Sequence, residues 1–223
     1  MQPYNLNDIL LPGALVFDIG ANIGKKTSEY LKHKCSVVAV EPLHQYAAQI
    51  AKNFPDAIVL EVAISPDSSL VMHEFGTLST AVPKTWWTGR FSYVKSARSI
   101  TTVHTRTLDS LIEEFGTPTY IKIDTEGYDD IALRTLTTAV PYLSFEFRSE
   151  QIDTYQRTLT YLASLGYDAF TLLIGGVYSF SPDYLSLEDF VLAVTNIVKE
   201  RPSMWGDVMC AHTLQHEDQE ITC

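Results

Sequence analysis

Apolar residues in this chain fall into short, nearly continuous runs separated by longer amphipathic stretches. The runs at 14–19, 36–40, 57–62, 119–124, 142–147 and 167–174 carry few polar interruptions. That is how strands buried on both faces of a sheet read. Between them the period changes. In 43–54, Ala47, Ile50, Ala51 and Phe54 share one helical face, and in 128–136 Ile131, Leu133 and Leu136 do the same. Helices are also predicted over 23–32 and over 152–165, the latter stopped by Gly166, with a short one at 7–11 ended by Pro12-Gly13. Alternation of strand and helix predicts an α/β fold: a doubly wound, mostly parallel sheet with right-handed crossovers. The run 190–198 reads as a seventh and last strand, paired hairpin-like and antiparallel with the sixth.

The rhythm breaks once. Ser65-Pro66-Asp67-Ser68 is a turn, 70–75 fits a short antiparallel strand, and 100–106 fits another strand. A helix over 108–115 follows, with Thr107 or Asp109 near its cap. Between those strands, 76–100 is rich in Ser, Thr and Gly and holds Trp86, Trp87, Phe91 and Tyr93. A long irregular stretch with large aromatics reads as a lid or substrate loop, or as a loop that buries its own rings. Neither an internal repeat nor a second domain boundary is visible, so 1–223 reads as one domain, with 1–12 a lead-in and 199–223 a polar, then acidic, tail.

Charge narrows the partners. The net charge is −11, from 16 Lys and Arg against 27 Asp and Glu. With no basic cluster to offset it, a nucleic-acid partner is not expected. No run is apolar and long enough to span a bilayer, and the first residues do not read as a signal peptide. Cys35, Cys210 and Cys223 are odd in number and widely spaced, which points to a reducing compartment and a cytoplasmic protein.

The chemistry concentrates at the ends of the predicted strands. In VFDIGANIG (16–24) a strand runs into a glycine turn and then a helix. Glycine permits a tight turn and close approach of a ligand, and free N–H groups at a helix start suit a polar or anionic group. About twenty residues on, the second strand ends in Glu41-Pro42, where an acidic side chain can accept bonds from both ribose hydroxyls. Two related motifs fit poorly. A dinucleotide fingerprint needs a third glycine, and a P-loop needs one more residue between Gly20 and Gly24. A plain connecting turn is the remaining alternative. Ligands in such sheets bind beyond the strands' carboxyl ends, which selects Asp18, Glu41, Glu61, Asp124 and Glu146. The segment IKIDTEG (121–127) is the most unusual. Lys122 and Asp124 point to one face of a strand that otherwise reads as buried, as a structural ion pair or as part of a site. Asp124 and Glu126 fall at the crevice edge, where a carboxylate can take a proton from a hydroxyl. Glu146, between Phe145 and Phe147, either anchors a substrate hydroxyl or pairs with Arg148. Asp124, Glu126 and Asp129 are oxygen ligands of a kind magnesium accepts, but their spacing does not require a metal and none is expected. Cys210, His212, His216 and Cys223 lack zinc-site spacing.

Taken in order, VFDIGANIG, VVAVEP, TLDSLI, YIKIDTEGYD and LSFEF resemble the FkbM family of methyltransferases across residues 14–147. Thr125 stands where that family often has Val, and Asp129 where it often has Glu, while 76–100 and 175–223 match nothing alignable. The resemblance implies the Rossmann-like class I methyltransferase fold with a seven-stranded sheet, and S-adenosyl-L-methionine as cofactor. It implies that Asp18, Gly20, Ala21, Asn22 and Gly24 line the methionine part, that Glu41 with Pro42 holds the ribose, and that Glu61 and Ala63 lie near the adenine. Donor and acceptor would meet at Asp124 and Glu126. The expected reaction is O-methylation of a hydroxyl on a small molecule, glycan or natural product. Asp124 or Glu126 would serve as base, Lys122 or His104 would orient it, and Trp86, Trp87 and Glu146 would contact the acceptor. The alternatives are an NAD-type oxidoreductase and a non-catalytic binding domain of the same fold.

Overall fold

The structure, a computed structural model, describes residues 6–76, 79–82, 99–174, 178–179, 184–201 and 203–213. Each short apolar run from 14 to 174 forms a strand, and the inner ones, with neighbours on both sides, are buried almost throughout. Strands β1 (Leu15–Ile19), β2 (Ser36–Val40) and β3 (Ile58–Leu60) alternate with helices α2 (Lys25–Lys32) and α3 (His44–Asn53), after a short α1 (Leu6–Ile9). Two residues, Ala63–Ile64 (β4), then leave this sheet and pair with β6 (Ser99–Arg106), which also pairs antiparallel with β5 (Ser69–Glu74). The chain returns through α4 (Leu108–Phe115), β7 (Tyr120–Ile123), α5 (Asp129–Leu133), β8 (Tyr142–Arg148), α6 (Ile152–Ser164) and β9 (Ala169–Ile174). A two-residue strand β10 (Tyr178–Ser179), α7 (Leu187–Glu200) and β11 (Trp205–Ala211) complete it.

The main sheet has the order β10-β9-β11-β8-β7-β1-β2-β3. From β3 to β8 every pairing is parallel, and β11 runs antiparallel between β8 and β9. Apart from the added β10, this is the expected seven-stranded sheet with an antiparallel last strand. One assignment is corrected. Residues 190–198 are helical, within α7, and the last strand lies in the segment expected to be a tail. Valine and isoleucine make VLAVTNIV resemble a strand, but Phe190 and Val194, one helical turn apart, are the buried positions.

The faces of the sheet differ. Phe17, Ile121, Leu143, Phe145 and Phe147 point into a large apolar core with α4, α5, α6 and α7. Val16, Tyr120, Tyr142 and Met209 point to the other side, against Ile9 of α1 and Tyr30 of α2. That second face also carries Asp18, Lys122, Ser144, Glu146 and Asp207, by alternation along β1, β7, β8 and β11. Strand order reverses between β1 and β7. The connections leaving them diverge, and a crevice opens above their carboxyl ends.

Candidate active site

That crevice is a cleft of about 700 Å³, the open solvent at its mouth included. Its floor is Gly20 and Asn22 after β1, its flank Glu41 and Pro42 after β2, and its far edge Asp124, Thr125 and Glu126 after β7. The small sheet supplies an apolar wall: Ala63, Ile64, Leu70 and Met72, facing Tyr46 of α3.

Gly20 explains how the two central strands meet there. Its φ is +79°, and a Cβ at this position would lie 2.0 Å from the carbonyl oxygen of Asp124. Only glycine lets the β1 turn rest against the end of β7. The turn's own N–H groups are used internally. Gly20 and Ala21 donate to the Val40 carbonyl at 2.9 and 3.0 Å, Gly24 donates to Ala21, and Asn22 donates to the Glu41 carboxylate at 2.8 Å. The sequence suggested free donors for an anionic group. The structure instead spends those of Gly20, Ala21 and Asn22 on the residues that end and follow β2.

Glu41 is buried and fixed from two sides. One oxygen accepts from Asn22 N–H, and the other accepts from Leu43 N–H at 2.9 Å. A carboxylate has about four acceptor sites, so each oxygen keeps a lone pair after these bonds. Burial pushes its pKa up to about 7, partly offset by the Leu43 and Asn22 donors. Asp18 lies deeper. Only 2% exposed, it accepts a 2.6 Å bond from the Thr27 hydroxyl of α2. Burial raises it to about 6 against the pull of Thr27 and Lys122. It fastens helix to strand beneath the turn.

The three acids of 124–129 occupy three environments. Asp129 points back into its own turn, accepting from Gly127 N–H at 3.2 Å and from Thr125 N–H at 3.4 Å. Burial, then the Asp124 charge, raise it to about 6. Glu126 has φ +56°, an uncommon backbone state for a non-glycine residue. Its carboxylate accepts from Arg148 at 2.9 Å, and its carbonyl accepts from Thr80. The same guanidinium bonds Glu146. Asp124 faces the cleft with its side chain 43% exposed, and among the described residues that side chain accepts no hydrogen bond. It is 3.7 Å from the ammonium of Lys122, which is 4% exposed and contacts Asp207 at 2.7 Å. Burial works against charge on Lys122, yet Asp124, Asp207 and Tyr120 together hold its pKa above the ordinary lysine value.

Of the residues singled out in the sequence, Gly20, Asn22, Glu41, Pro42, Ala63, Asp124 and Glu126 line the cleft. Asp18, Ala21, Gly24 and Lys122 support it from beneath or behind. Glu61 points away, with its carboxylate 2.7 Å from the His44 ring on the surface. Glu146 takes the alternative of pairing with Arg148, and His104 is exposed on β6 away from the cleft. Trp86 and Trp87 lie outside the described residues, as does most of 76–100. Sequence reasoning missed Tyr46, the Ile64, Leu70 and Met72 part of the apolar wall, and Asp207. Among the described residues, no group of three or more His, Cys, Asp or Glu is placed to hold a metal ion. No helix there is long and apolar enough to cross a membrane.

A seven-stranded sheet of this order, with a glycine turn after its first strand and an acidic residue ending its second, defines the class I methyltransferase fold. The Methyltransferase FkbM domain matches residues 18–169, and the chain belongs to that family of S-adenosylmethionine-dependent methyltransferases. No curated protein sequence matches it. Among solved structures it is similar to a TehB-like SAM-dependent methyltransferase from Corynebacterium glutamicum, with 11% identity, 90% of this chain and 81% of that one covered, and a TM-score of 0.49. It is also similar to a precorrin-6Y C5,15-methyltransferase from Geobacter metallireducens, with 12% identity, 92% and 83% coverage, and a TM-score of 0.44.

Proposed function

We propose that this enzyme methylates a hydroxyl oxygen on a small molecule or glycan, with Asp124 as the general base. The family implies S-adenosylmethionine, and the donor set fits it. Glu41 keeps one lone pair on each oxygen for the two ribose hydroxyls, and the wall of Ala63, Ile64, Leu70 and Met72 suits the adenine. When bound, the cofactor supplies an electrophilic methyl group on a positive sulfur. The chain's own task is then to hold the acceptor oxygen in line with that methyl group, exclude water and take up one proton. Alignment can account for several kcal/mol of the barrier.

One observation carries the choice of base: Asp124 is at the cleft edge and, among the described residues, its carboxylate accepts no hydrogen bond, whereas Glu126 is held by Arg148. With the cofactor bound, Asp124 would take the proton of the acceptor hydroxyl as that oxygen displaces the sulfur from the methyl carbon, leaving neutral S-adenosylhomocysteine, and the nearby Lys122 ammonium would steady the carboxylate beforehand. Glu126, with Arg148, shapes the acceptor side. The choice of acceptor class rests on the family and on the net charge of −11.

The test begins with calorimetric titration of S-adenosylhomocysteine into the wild type and Glu41→Ala. Binding is expected in the wild type and lost in the variant. Radiolabelled methyl transfer to a panel of sugars, polyols, phenols and hydroxyl-bearing peptides follows. Asp124→Asn is expected to lower turnover by about 10²- to 10⁴-fold with S-adenosylhomocysteine still bound, and Glu126→Gln by much less. Full turnover in Asp124→Asn would remove it as the base.

A further inference from the structure

The ammonium of Lys122 is shared unequally. It lies 2.7 Å from Asp207 and 3.7 Å from Asp124, and it also donates to the Ile123 carbonyl at 3.2 Å. The near partner is not on a neighbouring strand. Lys122 is in β7 and Asp207 in β11, and β8 runs between them. Directly opposite Lys122 on β8 is Ser144, on the same face. A lysine side chain reaches across a strand only over a small residue, and Ser144 is one. Its hydroxyl is turned aside to Tyr120, 2.6 Å away. Asp18, Lys122 and Ser144 are register partners across β1, β7 and β8, so the Lys122 side chain rises from the middle of the sheet.

We infer that Asp207 is a positioning residue: by holding the Lys122 ammonium toward β11, it keeps Asp124 attracted but not hydrogen-bonded, and so open to the acceptor's proton. A buried ammonium seeks the strongest available acceptor, because an unsatisfied charge in the interior is costly. Without Asp207, the nearest carboxylate left to Lys122 on the cleft side is Asp124. Closing that 3.7 Å gap to a direct, charge-assisted bond would stabilise the ionised Asp124 carboxylate and weaken it as a proton acceptor. The inference rests on the reading of Asp124 as base for its catalytic meaning, but the geometry it asserts does not.

The experiment uses the full chain with bound S-adenosylhomocysteine. Through-hydrogen-bond coupling between the lysine ¹⁵Nζ and aspartate carboxyl carbons, together with a crystal structure, is measured for wild type, Asp207→Asn and Asp207→Glu. In the wild type the coupling is expected to Asp207. In Asp207→Asn it should move to Asp124, with the Lys122–Asp124 distance falling into hydrogen-bond range, while S-adenosylhomocysteine affinity stays within about twofold. On the best acceptor from the panel, kcat should fall about tenfold with KM unchanged, and Asp207→Glu should restore most of it. A Lys122 ammonium that stays away from Asp124 in Asp207→Asn overturns the inference, as does wild-type turnover in that variant. If Asp207→Asn does not fold, wild-type coupling to Asp124 in place of Asp207 overturns it equally, and coupling to Asp207 with rescue by glutamate supports it. Should Asp124→Asn keep full turnover, the base assignment fails, while the movement of Lys122 still decides the geometric claim.

Discussion

Glu41 shows how a single residue's surroundings set its behaviour. Its carboxylate is buried, so the charged form is disfavoured, and two backbone N–H groups only partly restore it. The ionised form is the one with acceptor sites for two hydroxyls. A ligand that selects it must bind less tightly as the proton returns. Affinity for S-adenosylhomocysteine is therefore expected to be level above pH 8 and to fall as pH drops through about 7, by up to about tenfold per pH unit. Glu41→Gln should bind weakly and without that dependence, which calorimetry at a series of pH values checks. Glu41 was legible in the sequence because its position at a strand end, after a glycine turn, follows from topology alone. Asp207 was not. Its partner is 85 residues away, and no local pattern links a carboxylate to a lysine two strands across.

Elements repeat that division. Strands with apolar runs of five or more residues, and helices with three or four face positions, follow from periodicity, and β2 and α4 fall where the pattern puts them. The segment 187–211 was misread because two local signals conflict. In α7, β-branched residues crowd a helix, while its start is set by Ser186, whose hydroxyl accepts from the Asp189 N–H at 3.2 Å. In β11, Trp205-Gly206-Asp207 leads in with an exposed ring, a glycine and a charge, leaving only four apolar residues. Burial between two strands overrides that weak propensity. Gly206 is there for space: a Cβ would lie 2.4 Å from the Leu173 carbonyl oxygen. Ser186→Ala should cost about 1 kcal/mol in denaturant unfolding. Leu192→Lys, on the exposed face of α7, should stay within about 0.5 kcal/mol, an outcome a strand with Leu192 turned inward would not allow.

For the molecule as a whole, Asp18, Glu41 and Asp129 share one property: burial raises all three above the usual carboxylate range, to about 6, 7 and 6. Each binds its proton more tightly folded than unfolded, so unfolding releases protons and the free energy of unfolding falls as pH rises between about 4 and 7. Without ligand, the protein is expected to melt at a lower temperature at pH 8 than at pH 5. Asp18→Asn should flatten that slope by on the order of 1–2 kcal/mol, read from melting curves across pH. The sheet's connectivity has a further consequence, for the order of events during synthesis. Strands β8 and β9 meet only through β11, which is made after both. A nascent chain that has not yet reached residue 205 carries two open strand edges and a lysine ammonium whose nearest partner does not yet exist. The cleft's floor can form early, but on the proposed reading of Asp124 the carboxylate at its rim reaches its working state only when the last strand slides in, so a ribosome that stops short is expected to leave a sheet with sticky, unpaired edges.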